Sequence, residues 1–570
     1  MLKFKKMKKR FYYVAALFAM TIGCSDDFTD VPAVGALSPE TVSSGEAGVE
    51  LLLISAYSAL DGQRQNLVGN GFAASGDNWW LDVLSDDAHK GSTDDDQDPL
   101  FQMEVHNGES NNGYPLGRWS SIFGGINRTN SVISTIAGIE GIDLTSKLAE
   151  ARFLRGHFNF ELQRMYGNVP YISEENTANR EFNQPNPGPI WDQIEADFQY
   201  AVDNLPDSQS DAGRPSSWTA KAYLGKVHLQ QNEYATALTL LSDVIQNGPY
   251  SLNAEFIDNF NAAGENSAES VFAIQFLADD GISPNGNIGG TLNFPNPGPF
   301  GSCCGFYQPS QDLVNAFQTG DDGLPLLDTF NQTDVANDFG LADEDPFTPH
   351  AGNLDPRLDY TVGRRGINYN GYGTFPGQSW IRATAADISG PYLPSKNVYR
   401  AGEEDINQGS GAWGQQHSGI NYNIIRFADV LLMGAEAAAE ENNLAQALEW
   451  VNLVRNRAKN MTYVQNEAGD GPAANYVIEP YAAFADQATA IKAVRHERRL
   501  ELGMEGHRLF DIRRYGNAAE IMNAYITNEA RTIPTIATKF MPYTAKHDLL
   551  PIPITAIDLS QGVLTQNPGW

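Results

Sequence analysis

The chain has 570 residues, with 38 Lys and Arg against 70 Asp and Glu, for a formal charge of -32. Hydrophobic residues at 42% and aromatics at 11% are enough to bury a large core, which excludes global disorder. So acidic a chain lacks the basic surface that displaces counterions from nucleic acid, and three cysteines cannot staple a disulfide scaffold.

Residues 1–23 carry Lys3, Lys5, Lys6, Lys8, Lys9 and Arg10 and no acid, and they include the apolar run Phe11 to Ile22. That run is too short for a bilayer, which needs about 20 residues. A basic segment, a short apolar segment and a small residue before a break predict a signal peptide. The break reads Thr21-Ile22-Gly23-Cys24, which resembles a lipobox and predicts a diacylglyceryl group on Cys24. Ser25-Asp26-Asp27 resembles the acidic tag of lipoproteins on the outer face of the Bacteroidota outer membrane. The expectation is a surface-exposed protein held in the outer leaflet by acyl chains at Cys24. Losing residues 1–23 removes six basic residues and no acid, so the charge of -32 becomes -38.

From Cys24 to about Pro39 the chain reads as a tether, and residues 40–570 read as one domain. An apolar helical pattern runs from Val49 to Leu60. Residues 61–118 are rich in Gly, Asn and Asp and hold the cluster Asp77-Asn78-Trp79-Trp80. Leu148, Ala151, Leu154, Phe158, Leu162 and Met165 recur at three or four residues and predict a one-faced helix over 145–166, stopped by Pro170. Ile190 to Leu205 predicts another, ended by Pro206. Residues 216–246 predict a helix–turn–helix, capped at Ser216 or Ser217, with Gly225 where the helices cross and a turn at Asn232-Glu233. A second pair is predicted over 424–458. Such pairs resemble tetratricopeptide repeats, which build scaffolds. Between them, from about 248 to 423, periodicity fails and Gly, Pro, Asn and aromatics crowd in, as in Phe294-Pro295-Asn296-Pro297-Gly298-Pro299-Phe300. A long irregular stretch inside an ordered chain usually carries function. The predicted fold is mostly α: a tetratricopeptide-like helical-pair scaffold carrying a large loop-rich insertion.

The C-terminal third carries three motifs. Arg426 to Ala437 reads RFADVLLMGAEA, Val494 to Arg514 reads VRHERRLELGMEGHRLFDIRR, and the end runs from Leu549-Leu550-Pro551-Ile552-Pro553 to Gln566-Asn567-Pro568-Gly569-Trp570. In this order they resemble the SusD/RagB family, with Trp570 where the family usually has Tyr. The resemblance implies a surface lipoprotein that binds glycan and sits as a lid on a SusC-like TonB-dependent outer-membrane transporter, with no enzymatic activity. It also implies four helical pairs facing the transporter and a loop-rich binding face. The rival readings are a glycan-degrading surface lipoprotein and an assembly scaffold that binds no sugar. The scarcity of basic residues points to a neutral oligo- or polysaccharide, with fructan or β-glucan as candidates.

The family commonly places an aromatic of its glycan site near the position of Trp79 and Trp80. Trp80 is taken as the ring that faces sugar and Trp79 as core, with Asp61, Asp77 and Asn78 as polar neighbours. Cys303-Cys304 is predicted to form a vicinal disulfide, because Cys24 is taken by lipid and an exported chain is oxidised. Adjacent Cα atoms about 3.8 Å apart fall below the usual disulfide range of about 4.4–6.8 Å. The bridge would stiffen residues 301–305 and offer a flat sulfur surface beside Phe300, Phe306 and Tyr307, either as a ligand surface or only as a loop lock. Arg364 and Arg365 could pair with vicinal hydroxyls and Tyr399 could stack, with local ion pairs as the plainer reading. Trp380 and Trp413 are further aromatic candidates. No metal centre or other cofactor is expected. The closest approach to one is the run Ser92 to Asp98, in which Asp94 and Asp96 could ligate a structural Ca²⁺ but which lacks EF-hand spacing. Glu497, Glu501 and Glu505 invite a glycosidase reading. Arginines on the same helix predict an ion-pair network instead, because they depress carboxylate pKa.

Overall fold

The computed structural model describes residues 45–62, 67–278, 286–300, 303–411 and 414–570. The predicted signal peptide, the tether with Cys24, and Trp413 lie outside the described residues.

Helix α1 (Glu46–Tyr57) buries Val49, Leu53 and Ala56, spaced one turn apart. It packs on α2 (Gly113–Ala137) and α3 (Thr145–Tyr166). Helices α4 (Trp191–Asn204), α5 (Ser217–Gln230) and α6 (Tyr234–Asn247) follow. Then come α7 (Phe427–Glu440), α8 (Leu444–Asn460) and α9 (Gln487–Leu502). Each helix from α2 to α8 packs on the next, and α9 packs on both α7 and α8, so the scaffold is one continuous stack. Short α10 (Arg508–Arg514), α11 (Ala518–Glu529) and α12 (Ile554–Leu559) close the C-terminal end.

Capping and close approach explain this order. Ser216 caps α5 in a reciprocal capping box with Thr219. A Cβ on Gly225 would stand 2.8 Å from Leu241, so the glycine lets α5 and α6 cross closely. Gly434 does the same for α7, where a Cβ would meet Trp450 at 3.0 Å. Helix α2 is absent from the sequence reading because its Gly117, Ser120, Ser121, Gly124, Gly125 and Thr129 are weak helix formers. Packing overrides propensity there. A Cβ on Gly125 would stand 2.5 Å from the Phe158 ring of α3, and one on Gly117 would meet Asn70 O at 2.2 Å.

The insertion is clasped at its base. Strand β1 (Ala88–Gly91) pairs antiparallel with β3 (Phe306–Pro309), and β2 (Ser270–Ile274) with β4 (Tyr422–Arg426), which runs directly into α7. Above this clasp the insertion builds its own small core from Phe294, Phe300, Tyr369, Phe375, Leu393 and Tyr399.

Under α9 lies a buried ion-pair network, but its arginines come from elsewhere in the chain, while Arg498 pairs with Asp429 and Asp511 and Arg508 with Asp86. Arg426 reaches Glu269 at 2.9 Å, Glu501 at 2.5 Å and Glu505 at 2.9 Å. Arg357 joins Asp355 at 2.7 Å, Glu497 at 2.7 Å and Glu501 at 2.9 Å. Arg455 pairs with Glu497, and Arg457 with Glu501. Burial alone would raise the Glu501 carboxyl, but Arg457, Arg426 and Arg357 together hold it well below the usual carboxylate range.

A second buried centre joins β1 to α11. The His89 ring lies between Glu104 (3.1 Å) and Glu529 (2.9 Å), with Tyr525 Oη 3.3 Å away. Burial works against its charge, but the two carboxylates outweigh it and raise the imidazole from 6.5 to about 9. A raised folded pKa gives stability that is complete below the unfolded value and is lost as pH climbs to the folded one. Between pH 6.5 and 9 the urea midpoint should therefore fall, with about 3 kcal/mol at stake. The slope should vanish in His89→Leu. An identical slope in that variant would assign it to other groups.

Candidate functional site

Several predicted site residues are core. Trp79 and Trp80 sit in a single helical turn and are 1% and 0% exposed, so neither can offer a ring face to sugar. Trp79 Nε1 donates to Phe72 O at 3.1 Å, and Trp80 packs edge-on to Tyr114 with centroids 5.6 Å apart. Asn78, in the left-handed region at φ 56°, turns the chain inward. Its amide donates to Glu161 at 3.2 Å and accepts from Arg118 at 3.1 Å. Asp77 is buried and accepts from Asn287 at 2.9 Å, and burial raises its carboxyl to about 6. The cluster is thus a joint between the 75–82 segment, α2, α3 and the insertion. Asp61 is half-buried in the turn after α1.

Tyr307 is buried in β3 and donates to Asp82 at 2.7 Å. Arg364 is buried and bidentate to Asp359 at 2.7 and 2.8 Å. Arg365 donates to the carbonyls of Ala342, Asp343 and Asp345 and lies over Phe347. Tyr399 is buried in the insertion core and accepts from Gln408 at 2.9 Å. These residues build the insertion rather than face outward. Without long helices, its aromatics and arginines become its core and its braces.

Other residues do converge at the surface. Cys303 and Cys304 form the predicted vicinal disulfide, with Cα atoms 3.0 Å apart. Cys304 is buried and Cys303 half-buried. Arg382 Nη1 lies 3.8 Å from Cys303 Sγ and donates to Asp96 at 2.6 Å. The 91–96 loop is held by Lys90, whose buried ammonium donates to the carbonyls of Gly91, Thr93 and Asp96 at 2.9, 2.8 and 2.8 Å. Asp94 accepts from Ile388 N at 2.8 Å and pairs with Lys539. Asp94 and Asp96, the two carboxylates named as Ca²⁺ candidates, pair with Lys539 and Arg382.

Two half-buried rings pack against the insertion core. Tyr372 packs on Phe300 at 4.8 Å and donates to Glu404 at 2.8 Å. Trp380 packs on Phe375 at 5.8 Å, two residues before Arg382. Ring faces, a guanidinium and carboxylates are the complement of a saccharide, which presents C–H faces and hydroxyls together. Trp380 was among the sequence candidates. Tyr372, Arg382 and the Arg382–Asp96 pair were not, because the pair spans 286 residues and only folding makes it.

The chain matches known proteins along most of its length. Residues 268–570 match the model of the SusD family, and residues 56–229 match one described as starch-binding associating with outer membrane. The chain belongs to the SusD family. A SusD-like protein of Formosa agariphila is 25% identical over 464 residues, covering 78% of this chain and 77% of that one. The structure of a SusD superfamily protein from Bacteroides vulgatus superposes with a TM-score of 0.67 at 21% identity, covering 93% of this chain and all of that one. A laminarin-binding SusD-like protein gives 0.63 at 22% identity, covering 92% and 99%. The mostly α, SusD-like architecture is therefore shared across the family. Among the described residues no helix is long and apolar enough to cross a membrane.

Proposed function

We propose that this SusD-like protein is a cell-surface lipoprotein, anchored at Cys24, that captures a neutral oligosaccharide on its insertion and delivers it to a SusC-like TonB-dependent transporter. The reading rests on the half-buried Tyr372, Trp380 and Arg382 of the insertion, with Arg382 paired to Asp96 beside the Cys303–Cys304 disulfide. The exposed Asp95 and the partly exposed Asp387 would repel sulfated or uronate chains. A β-glucan is preferred over a fructan, because a protein of the same fold binds laminarin.

The mode of action is binding without bond cleavage. The only clustered glutamates suggested for acid–base chemistry, Glu497, Glu501 and Glu505, are buried against arginines. A general acid needs a raised pKa, whereas the arginines around Glu501 hold its carboxyl well below the usual range. Trp380→Ala should weaken laminarihexaose binding roughly tenfold in calorimetry, the loss of one aromatic contact of about 1.4 kcal/mol, with circular dichroism unchanged. Equal affinity in the variant would move the site off these residues.

A further inference from the structure

Two exposed apolar side chains, Phe182 and Leu559, line a groove of about 430 Å³. Trp119 and Phe123 of α2 line it together with Pro170, Phe182, Leu559 and Leu564. Leu559 is 78% exposed and Phe182 53%. No Asp, Glu, Lys, Arg or His lines the groove, although 19% of the chain is charged. An apolar trough of this kind on an acidic protein marks a place where something docks.

The tether has matching chemistry. Phe28, Val31, Val34 and Leu37 fall at every third position, with Pro32 among them. Three residues per turn is the polyproline period, so this spacing can present one apolar edge, and aromatic-lined grooves receive such edges. Residues 31–39 read VPAVGALSP and hold no charge, like the groove. The reach also suffices. Gly45, where the described chain starts, lies against Ile142, just beyond the end of α2. From Ala137 back to Ile126, which also lines the groove, α2 runs about 16 Å. The residues between Leu37 and Gly45 can span about 26 Å.

We propose that residues 28–37 of this chain dock in the groove between α2 and α12. Docking would leave only residues 25–27 between the acylated cysteine and the protein body.

The test uses the mature chain with Cys24→Ser, carrying Val34→Cys with Leu559→Cys. Under mild oxidation a 34–559 cross-link should form within one chain, mapped by peptide mass. Its yield should exceed that of a Val34→Cys, Leu453→Cys control roughly tenfold, as a seated segment raises effective concentration. Phe182→Asp should remove the excess. Equal yields at positions 559 and 453 would overturn the proposal. A cross-link found only between two chains would also overturn it, assigning the groove to a second copy.

Discussion

Replacing Glu501 with Ala should cost about 3–5 kcal/mol, the range for removing one partner of a buried ion pair. Glu501 accepts from Arg357, Arg426 and Arg457, and its side chain is 0% exposed. Without it, three buried guanidinium groups lose the counter-charge they share, with only Asp355, Glu497, Glu269 and Glu505 left to meet them. Urea titration of the purified variant reads the loss, and a sharp drop in soluble yield is expected at 37 °C. Glu501→Gln should fall between the variant and the native chain, since an amide oxygen still accepts hydrogen bonds. The depressed carboxyl adds a pH dependence with a definite sign. A lowered folded pKa gives stability that is present above the unfolded value of 4.5 and is lost only as pH falls through the folded one, so mild acid should leave the network intact. A Glu501→Ala protein as stable as the native chain would mean that the arginines find other partners.

Trp80→Ala should be comparably damaging, at about 3–5 kcal/mol for a buried Trp truncated in a packed core. Its signature differs from that of Trp380→Ala. Folded Trp80→Ala protein should keep its sugar affinity while melting earlier, and Trp380→Ala should lose affinity while melting normally. Calorimetry paired with thermal melts separates the two. Loss of affinity in Trp80→Ala without loss of stability would return the site to the 77–80 cluster.

That contrast shows what the sequence made legible. Helices α3, α5, α6, α7 and α8 were readable because their apolar residues keep a helical period and their ends carry caps or prolines. Helix α2 was not, because its glycines serve a partner helix that lies elsewhere in the chain. In the loop-rich insertion, aromatic residues look alike whether they build a core or line a surface. Trp80 and Tyr399 turned inward, whereas Trp380 stayed half-buried. The disulfide was legible because its partners are adjacent and no other pairing was open to them. The salt bridge of Arg382 with Asp96 was not, since nothing local connects the two residues.

The clasp of β2 with β4 brings residues 270 and 426 side by side, so the helical stack meets the whole insertion as it would a short turn. That geometry alone would make the insertion an exchangeable cassette. The network under α9 limits the exchange. Arg357 and Lys396 belong to the insertion, yet Arg357 binds Glu497 and Glu501 of the scaffold and Lys396 binds Glu501, Gly503 and Glu505, while Asp355 braces Arg357 from within the insertion. A transplanted cassette must bring these three residues as its plug, while Tyr372, Trp380 and Arg382 are free to diverge. Inheritance in such a protein would keep the plug and rewrite the face.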